Sequence, residues 1–285
     1  MKICQSPQII EIQFCSLCNS YCLICPYKDM KYKAEYMSSS LFFKFIDDLK
    51  ALKIKRIIPY LNNEPFIDKN YINQVKIIRE TCPNVEIEIS THASLLTEDI
   101  MLELLKLDIT ELRLSVFGYY KKTYNKMMPN LTKSVVFKNL HKLSKIFKNA
   151  STKISIVMID NGQIEEIEFQ KMKNLADKLN FEFNKWGFLD RAKNVKGQSN
   201  NFYNDKVNFC EQLRPLERMH ILANGDVIFC CQDWKHRYIV GNLSKNSILE
   251  IWNSEKYNSL RKQLYDKNIL APELCCNCKL AHIKE

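Results

Sequence analysis

The chain has 285 residues, 46% hydrophobic and 26% charged, with a formal net charge of +10. Its 6 glycines, 8 prolines and 11% aromatics exclude collagen-like and disordered classes, no apolar run is long enough to span a membrane, and Gln8, Glu11 and Gln13 interrupt the first apolar stretch where a secretory signal would need continuity. The basic excess permits an acidic partner, but the lysines and arginines are dispersed without blocks, which fits a solvated surface and gives no expectation of nucleic acid.

In chain order, β-rich runs alternate with helical ones from residue 9 to about 188. IIEIQFC (9–15) opens the series, and LFFKFIDDLKAL (41–52) is the first helical stretch. RIIPYL (56–61), NYINQVKIIRETC (70–82), VEIEIST (85–91), LTEDIMLELLKL (96–107) and ITELRLSVF (109–117) follow. SVVFKNLHKLSKIF (134–147), KISIVMI (153–159), IEFQKMKNLADKL (167–179) and FEFNKWGF (181–188) complete it. The helical stretches carry apolar residues at three- and four-residue spacing. Six strand–helix repeats predict a parallel sheet, curled as a partial (β/α)6 TIM-like barrel with its site at the carboxyl ends of the strands. The polar stretch 190–207 then reads as a loop or linker. MHILANGDVIFCC (219–231) reads as a hairpin turning at Asn224-Gly225, and SILEIWNSEKYNSLRKQL (247–264) as one helix capped by Ser247. The expected organisation is a barrel over 1–190, a linker over 191–209 and a small α+β domain over 210–285.

Twelve cysteines in a chain without an export signal point to a reducing, cytoplasmic setting, where clustered thiols hold metal or do redox chemistry. Cys4 and Cys82 have no sequence partners and read as buried thiols. Cys18, Cys22 and Cys25 are spaced C-x3-C-x2-C just after the first strand. Three thiolates on one loop suffice for three irons of a cubane and leave the fourth open; a zinc knuckle that adds Cys15 is the plainer alternative. This triplet at this place resembles the radical S-adenosylmethionine (SAM) superfamily. The resemblance implies a [4Fe-4S] cluster whose open iron takes the SAM amino and carboxylate groups, and reductive cleavage to a 5′-deoxyadenosyl radical that abstracts a substrate hydrogen.

Three segments match the family further along. YLNNEP (60–65) stands where Gly-Gly-Glu-Pro is usual, so the resemblance places Asn62, Asn63 and Glu64 against the SAM ammonium. Asn for Gly is a departure, softened because Asn tolerates left-handed backbone. In STHASLLT (90–97), His92 replaces a common asparagine. Ser115 in RLSVFG matches a serine that contacts the SAM carboxylate or ribose, and Lys126 stands where a basic partner follows one helix later.

The carboxyl-terminal cysteines lie in a context, NGDVIFCCQDW to CCNCK, that resembles the SPASM/twitch extension of this superfamily. That resemblance implies an auxiliary [4Fe-4S] cluster held by Cys210, Cys230, Cys275 and Cys278. Cys231 and Cys276 are alternatives, because adjacent cysteines on a strand point to opposite sides; a zinc staple is the plain reading. Two [4Fe-4S] clusters and SAM are therefore the expected cofactors, with flavodoxin or ferredoxin as electron donor. Few residues precede the first motif, so no amino-terminal peptide-recognition domain is expected. A four-thiolate cluster has no open iron and suits electron transfer in a net oxidation. The resemblance is to twitch dehydrogenases of sugar or aminocyclitol alcohols. Asp190 and Arg191 are expected at the substrate, Arg191 for binding or charge stabilisation, since its high pKa opposes a role as base. The alternatives are radical modification of a ribosomal peptide, by epimerisation or crosslinking, and, from another class, a zinc-stabilised nucleic-acid-binding protein.

Overall fold

A computed structural model describes residues 4–30, 32–197 and 202–284. The elements run β1 (Ile9–Ile12), α1 (Ser39–Lys50), β2 (Arg56–Ile58), α2 (Tyr71–Thr81), β3 (Glu86–Thr91), α3 (Glu98–Lys106) and β4 (Glu111–Ser115). Then come α4 (Lys121–Met127), α5 (Lys133–Ile146), β5 (Lys153–Asp160), α6 (Glu166–Leu179), β6 (Glu182–Gly187) and β7 (Phe209–Cys210). The series closes with α7 (Arg214–Glu217), β8 (Arg218–Ile221), β9 (Asp226–Ile228), β10 (Ile239–Asn242), α8 (Ile248–Trp252), α9 (Glu255–Tyr265), α10 (Glu273–Cys276) and β11 (Ala281–His282).

Two compact units interleave along the chain. One comprises the described residues of Met1–Ser16, Asp29–Asn62 and Leu189–Glu285, the other Leu17–Lys28 and Asn63–Phe188. In the first, the strand order is β10-β9-β8-β1-β2. β1 pairs in parallel with β2 on one side and β8 on the other, with Glu11 opposite His220. The expected hairpin at Asn224-Gly225 is present, but its first strand is a neighbour of β1, which sequence separation hid. Phe14 meets Phe42 of α1 edge-on at 5.6 Å. By the two-residue period of a strand, Ile10 and Ile12 share the face of Phe14, and Glu11 and Gln13 take the other.

The helix expected over 247–264 is two helices. Ser247 and Glu250 form a reciprocal capping box at α8, and Ser254 caps α9 afresh by accepting from the Tyr257 amide. The corner is closed by Arg261, 1% exposed. Its guanidinium donates to the carbonyls of Pro215 at 2.8 Å and Trp252 at 2.6 Å and stacks on Tyr257.

In the second unit, β3, β4, β5 and β6 are all parallel and adjacent in that order, with strand bounds within two residues of those expected. Thr97 caps α3 through the Ile100 amide, and α5 buries Val136, Leu140 and Leu143 on one stripe. Helix α4 has no such stripe and was not expected. Its amino end is satisfied from outside: Glu168 of α6 accepts from the Tyr119 and Tyr120 amides, both at 2.8 Å, and from the Thr123 hydroxyl. Cys4 and Cys82 are half-buried rather than buried. Part of the expected loop, 198–201, lies outside the described residues.

Candidate active site

Cys18, Cys22 and Cys25 occupy the loop Leu17–Lys28 of the second unit, and all three are half-buried. Short-range bonds shape the loop: the Cys18 amide donates to the Tyr27 hydroxyl at 2.8 Å, and the Cys25 amide to the Cys22 carbonyl at 3.0 Å. The Leu23 amide reaches the Met127 carbonyl at the end of α4. Burial pushes the Cys18 thiol far up, helped by Glu64, Cys22 and Cys25. Burial and Cys25 push Cys22 up to about 12. Thiols raised like Cys18 and Cys22 hold their protons unless a positive metal centre is present. The donor set therefore fits an iron–sulfur cluster. A second feature fits it too: the Tyr124 hydroxyl is buried without a hydrogen-bond partner, within electrostatic reach of Cys22. Cys15, which a zinc knuckle would recruit, is 0% exposed in the core of the other unit.

A polar network fastens this loop. The Glu64 amide donates to the Leu17 carbonyl at 2.9 Å. Its carboxylate, 2% exposed, accepts from the Thr91 hydroxyl at 2.6 Å and the His92 amide at 3.1 Å. The His92 ring bonds Asn19 of the cysteine loop through Nε2 at 2.8 Å and accepts the Ser94 amide at Nδ1. With Nδ1 an acceptor, Nε2 carries the proton toward Asn19 and Glu64. His92 therefore does what the sequence left open: it ties the end of β3 to the loop. Thr91 and Asn19 were invisible as site residues because their roles depend on partners 27 and 73 positions away. Ser115 ends β4 half-buried, whereas Lys126 on α4 is exposed. Asn63 begins the second unit, and Asn62 ends a segment of the first. There Asn62 is 6% exposed, donates its amide to Gln13 Oε1 at 3.3 Å, and leaves its Nδ2 unpartnered.

Gly118 fixes where α4 lies. Its φ is +150°, and a Cβ there would meet the Tyr124 amide nitrogen at 2.6 Å. Gly118→Ala should lower stability by about 1–3 kcal/mol, the cost of overpacking against backbone, and a thermal melt reads it. A wild-type Tm would contradict the close approach.

The second cysteine group lies in the first unit. Cys210 on β7 pairs with Ala281, and the Ala281 amide bonds the Cys278 carbonyl at 3.0 Å. Cys275 and Cys278 are joined by an amide–carbonyl bond of 3.0 Å. The Cys276 thiol donates instead to the Ala271 carbonyl at 3.4 Å and is turned away. The buried Tyr265 hydroxyl has no hydrogen-bond partner and faces Cys210, Cys275 and Cys230. Cys230 lies near Cys278. These four thiols lie in electrostatic reach of one another, and the orphan hydroxyl beside them fits a missing sulfur-rich group.

Cys231, hydrogen-bonded to the Cys230 thiol and in electrostatic reach of Cys278, also belongs to a cluster with Glu11 and His220 whose ligand atoms lie within 4.8 Å of one another. Burial alone would lower His220, but Glu11 and Cys231 raise it to about 9. A hydrogen bond with Cys230 holds Cys231 well below the usual thiol range, with Arg214 and His220 assisting against burial. Asp190 is 2% exposed with Oδ2 unpartnered, so the pair at 190–191 is no solvated loop. Arg191, Ala192 and Lys193 all have φ between 54° and 63°, a left-handed turn that costs energy at each non-glycine residue. Asn194 holds it by donating to the carbonyls of Arg191 and Gln232. With its amide oriented to accept, the Gln232 oxygen takes bonds from Arg191 and Arg214, each at 3.2 Å.

Comparison with known proteins agrees with this chemistry. Residues 12–169 match the Radical SAM superfamily profile, and 210–279 match SPASM, an iron–sulfur cluster-binding domain. The S-adenosyl-L-methionine-dependent 2-deoxy-scyllo-inosamine dehydrogenase of Niallia circulans is 23% identical over 272 residues, 95% of this chain and 92% of that one. BtrN, solved with AdoMet and 2-DOIA, superimposes with a TM-score of 0.64 at 19% identity, covering 95% of this chain and 92% of its own. Streptococcus suis SuiB, solved with precursor peptide SuiA, gives 0.75 at 14% identity, covering 98% and 71%. These likenesses show the fold: a partial (β/α)6 barrel followed by a small iron–sulfur domain.

Proposed function

The chain belongs to the radical SAM superfamily and carries a SPASM iron–sulfur domain, and from that premise we propose that it oxidises a small polyhydroxylated substrate, a sugar or aminocyclitol alcohol, with one auxiliary cluster as electron acceptor. When bound, the cofactors supply a 5′-deoxyadenosyl radical from SAM at one [4Fe-4S] cluster and a one-electron sink at another. The observation that carries the reading is that Cys210, Cys230, Cys275 and Cys278 lie in electrostatic reach of one another. Four thiolates leave no iron open to bind substrate, so the second centre serves electron transfer. Cys18, Cys22 and Cys25 hold the first centre. Glu64, with its oxygens engaged by Thr91 and His92, meets the SAM ammonium together with Asn63, a role the resemblance gives to Asn62 as well. Ser115 meets the SAM carboxylate or ribose, and the exposed Lys126 on α4 is the basic partner.

Oxidation of a carbinol carbon balances as loss of a hydrogen atom, then a proton and an electron. Arg191, always charged, stabilises negative charge developing on the substrate oxygen, and Asp190 accepts a hydrogen bond or proton nearby. A small substrate also suits a polar cavity of about 180 Å3 in the first unit, lined among others by Gln13, Glu35, Asn62, Asn224 and His236. The proposed division remains a barrel over 1–190, a linker and an auxiliary domain from 210, working in the cytoplasm with flavodoxin or ferredoxin as donor. Among the described residues no helix is long and apolar enough to cross a membrane.

The TM-score of 0.75 to SuiB with its precursor peptide favours a second reading, peptide modification. Sugar alcohols and aminocyclitols deuterated at the carbinol carbon, given anaerobically with SAM and reductant, distinguish the two. The expected result is deuterium in 5′-deoxyadenosine together with a ketone product. Deuterium transfer from a labelled peptide and from none of the alcohols would overturn the dehydrogenase reading.

A further inference from the structure

Arg214 has no part in the sequence motifs, yet the first unit is built to hold its charge among the second cysteine group. Leu213, at φ 50°, occupies left-handed backbone that a bulky residue rarely adopts. Its amide donates to the Cys210 carbonyl at 3.0 Å, so the chain doubles back immediately after Cys210 and brings Arg214 with it. One Arg214 nitrogen bonds the Gln232 oxygen at 3.2 Å, two residues beyond Cys230. Its Nε is buried without a partner. The charge is in electrostatic reach of Cys231, Cys230, Glu11 and Cys210. A guanidinium held this way is expensive to desolvate, and only nearby negative charge offsets the cost.

We propose that Arg214 is the residue that makes the auxiliary cluster an electron acceptor: fixed by Gln232 and the Leu213 turn beside Cys210 and Cys230, it stabilises the reduced, more negative form and raises the reduction potential. This rests on the four-cysteine cluster reading above. Potentials of such clusters follow local charge, hydrogen bonds to sulfur and solvent access, and a positive charge held within electrostatic reach of the ligands in a partly buried site acts on them strongly. Because a guanidinium does not titrate in the working range, its contribution is the same at pH 6 as at pH 8. Gln232 is the positioning residue, holding Arg214 on one side and Arg191 on the other.

The test is an EPR-monitored redox titration of the anaerobically reconstituted full chain, with SAM added to identify the other cluster by its altered signal. Arg214→Gln should lower the auxiliary midpoint by at least about 59 mV, a tenfold change in the one-electron equilibrium. The shift should be equal at pH 6 and 8, and Arg214→Lys should recover most of it. A wild-type midpoint in an Arg214→Gln protein with its auxiliary iron intact would overturn the proposal. So would an Arg214→Gln protein that fails to hold that iron while Arg214→Lys holds it at the Arg214→Gln midpoint expected for lost charge, since a lysine's charge would then count for nothing. Wild-type protein with only about four irons would instead remove the cluster reading itself, an outcome that iron analysis separates from the other two.

Discussion

Replacing Cys18, Cys22 and Cys25 together by alanine should remove about four irons and abolish cleavage of SAM. The loss should be complete rather than partial because the proposed first centre is held by three thiolates with one iron left open, and cleavage needs SAM bound to the iron that supplies the electron. The loop itself should survive the substitution. Of the bonds that shape it, those to the Tyr27 hydroxyl and the Leu17 carbonyl and the His92–Asn19 bond involve no cysteine side chain, while the Ser20–Cys22 contact at 3.1 Å is lost. Iron analysis and chromatographic measurement of 5′-deoxyadenosine read both effects, and retained cleavage would contradict the assignment.

Replacing Cys210 and Cys278 should have a different signature. The variant should keep about four irons and still form 5′-deoxyadenosine, but product should be abolished. Hydrogen abstraction depends on the first centre; completing the oxidation needs the electron to leave the substrate, and these two cysteines lie in the group proposed to receive it. Deuterium from labelled substrate should therefore still enter deoxyadenosine in this variant. Normal product formation would dismiss the acceptor role.

The contrast between these variants follows the two kinds of information in the chain. The placing of the cysteine triplet in a loop after β1, of His92 just past β3 and of Ser115 at the end of β4 was legible because a short loop after a strand needs no distant partner to be recognised. The same holds for β3 to β6, whose apolar runs set their bounds to within two residues. What escaped was made by contacts across long separations. Helix α4 is capped by Glu168 from α6, so its own residues carry no cap signal. The hairpin at Asn224-Gly225 was evident, but its parallel pairing with β1 brings residues more than 200 positions apart into register. The continuous helix expected over 247–264 broke because Ser254 caps a new start and Arg261 bridges the corner. The adjacent pair Cys275 and Cys276 could be separated only once the Cys276 thiol was seen donating to Ala271. Arg214 and Gln232 left no pattern at all, since a lone arginine or glutamine in sequence is most often at the surface.

The most direct measurement is electron–nuclear double resonance on the reduced protein with SAM labelled at its amino nitrogen and carboxylate oxygen. The expected result is hyperfine coupling of both labels to the cluster held by Cys18, Cys22 and Cys25. Absence of coupling, or a protein side chain in place of the labelled groups, would contradict an open iron at that loop.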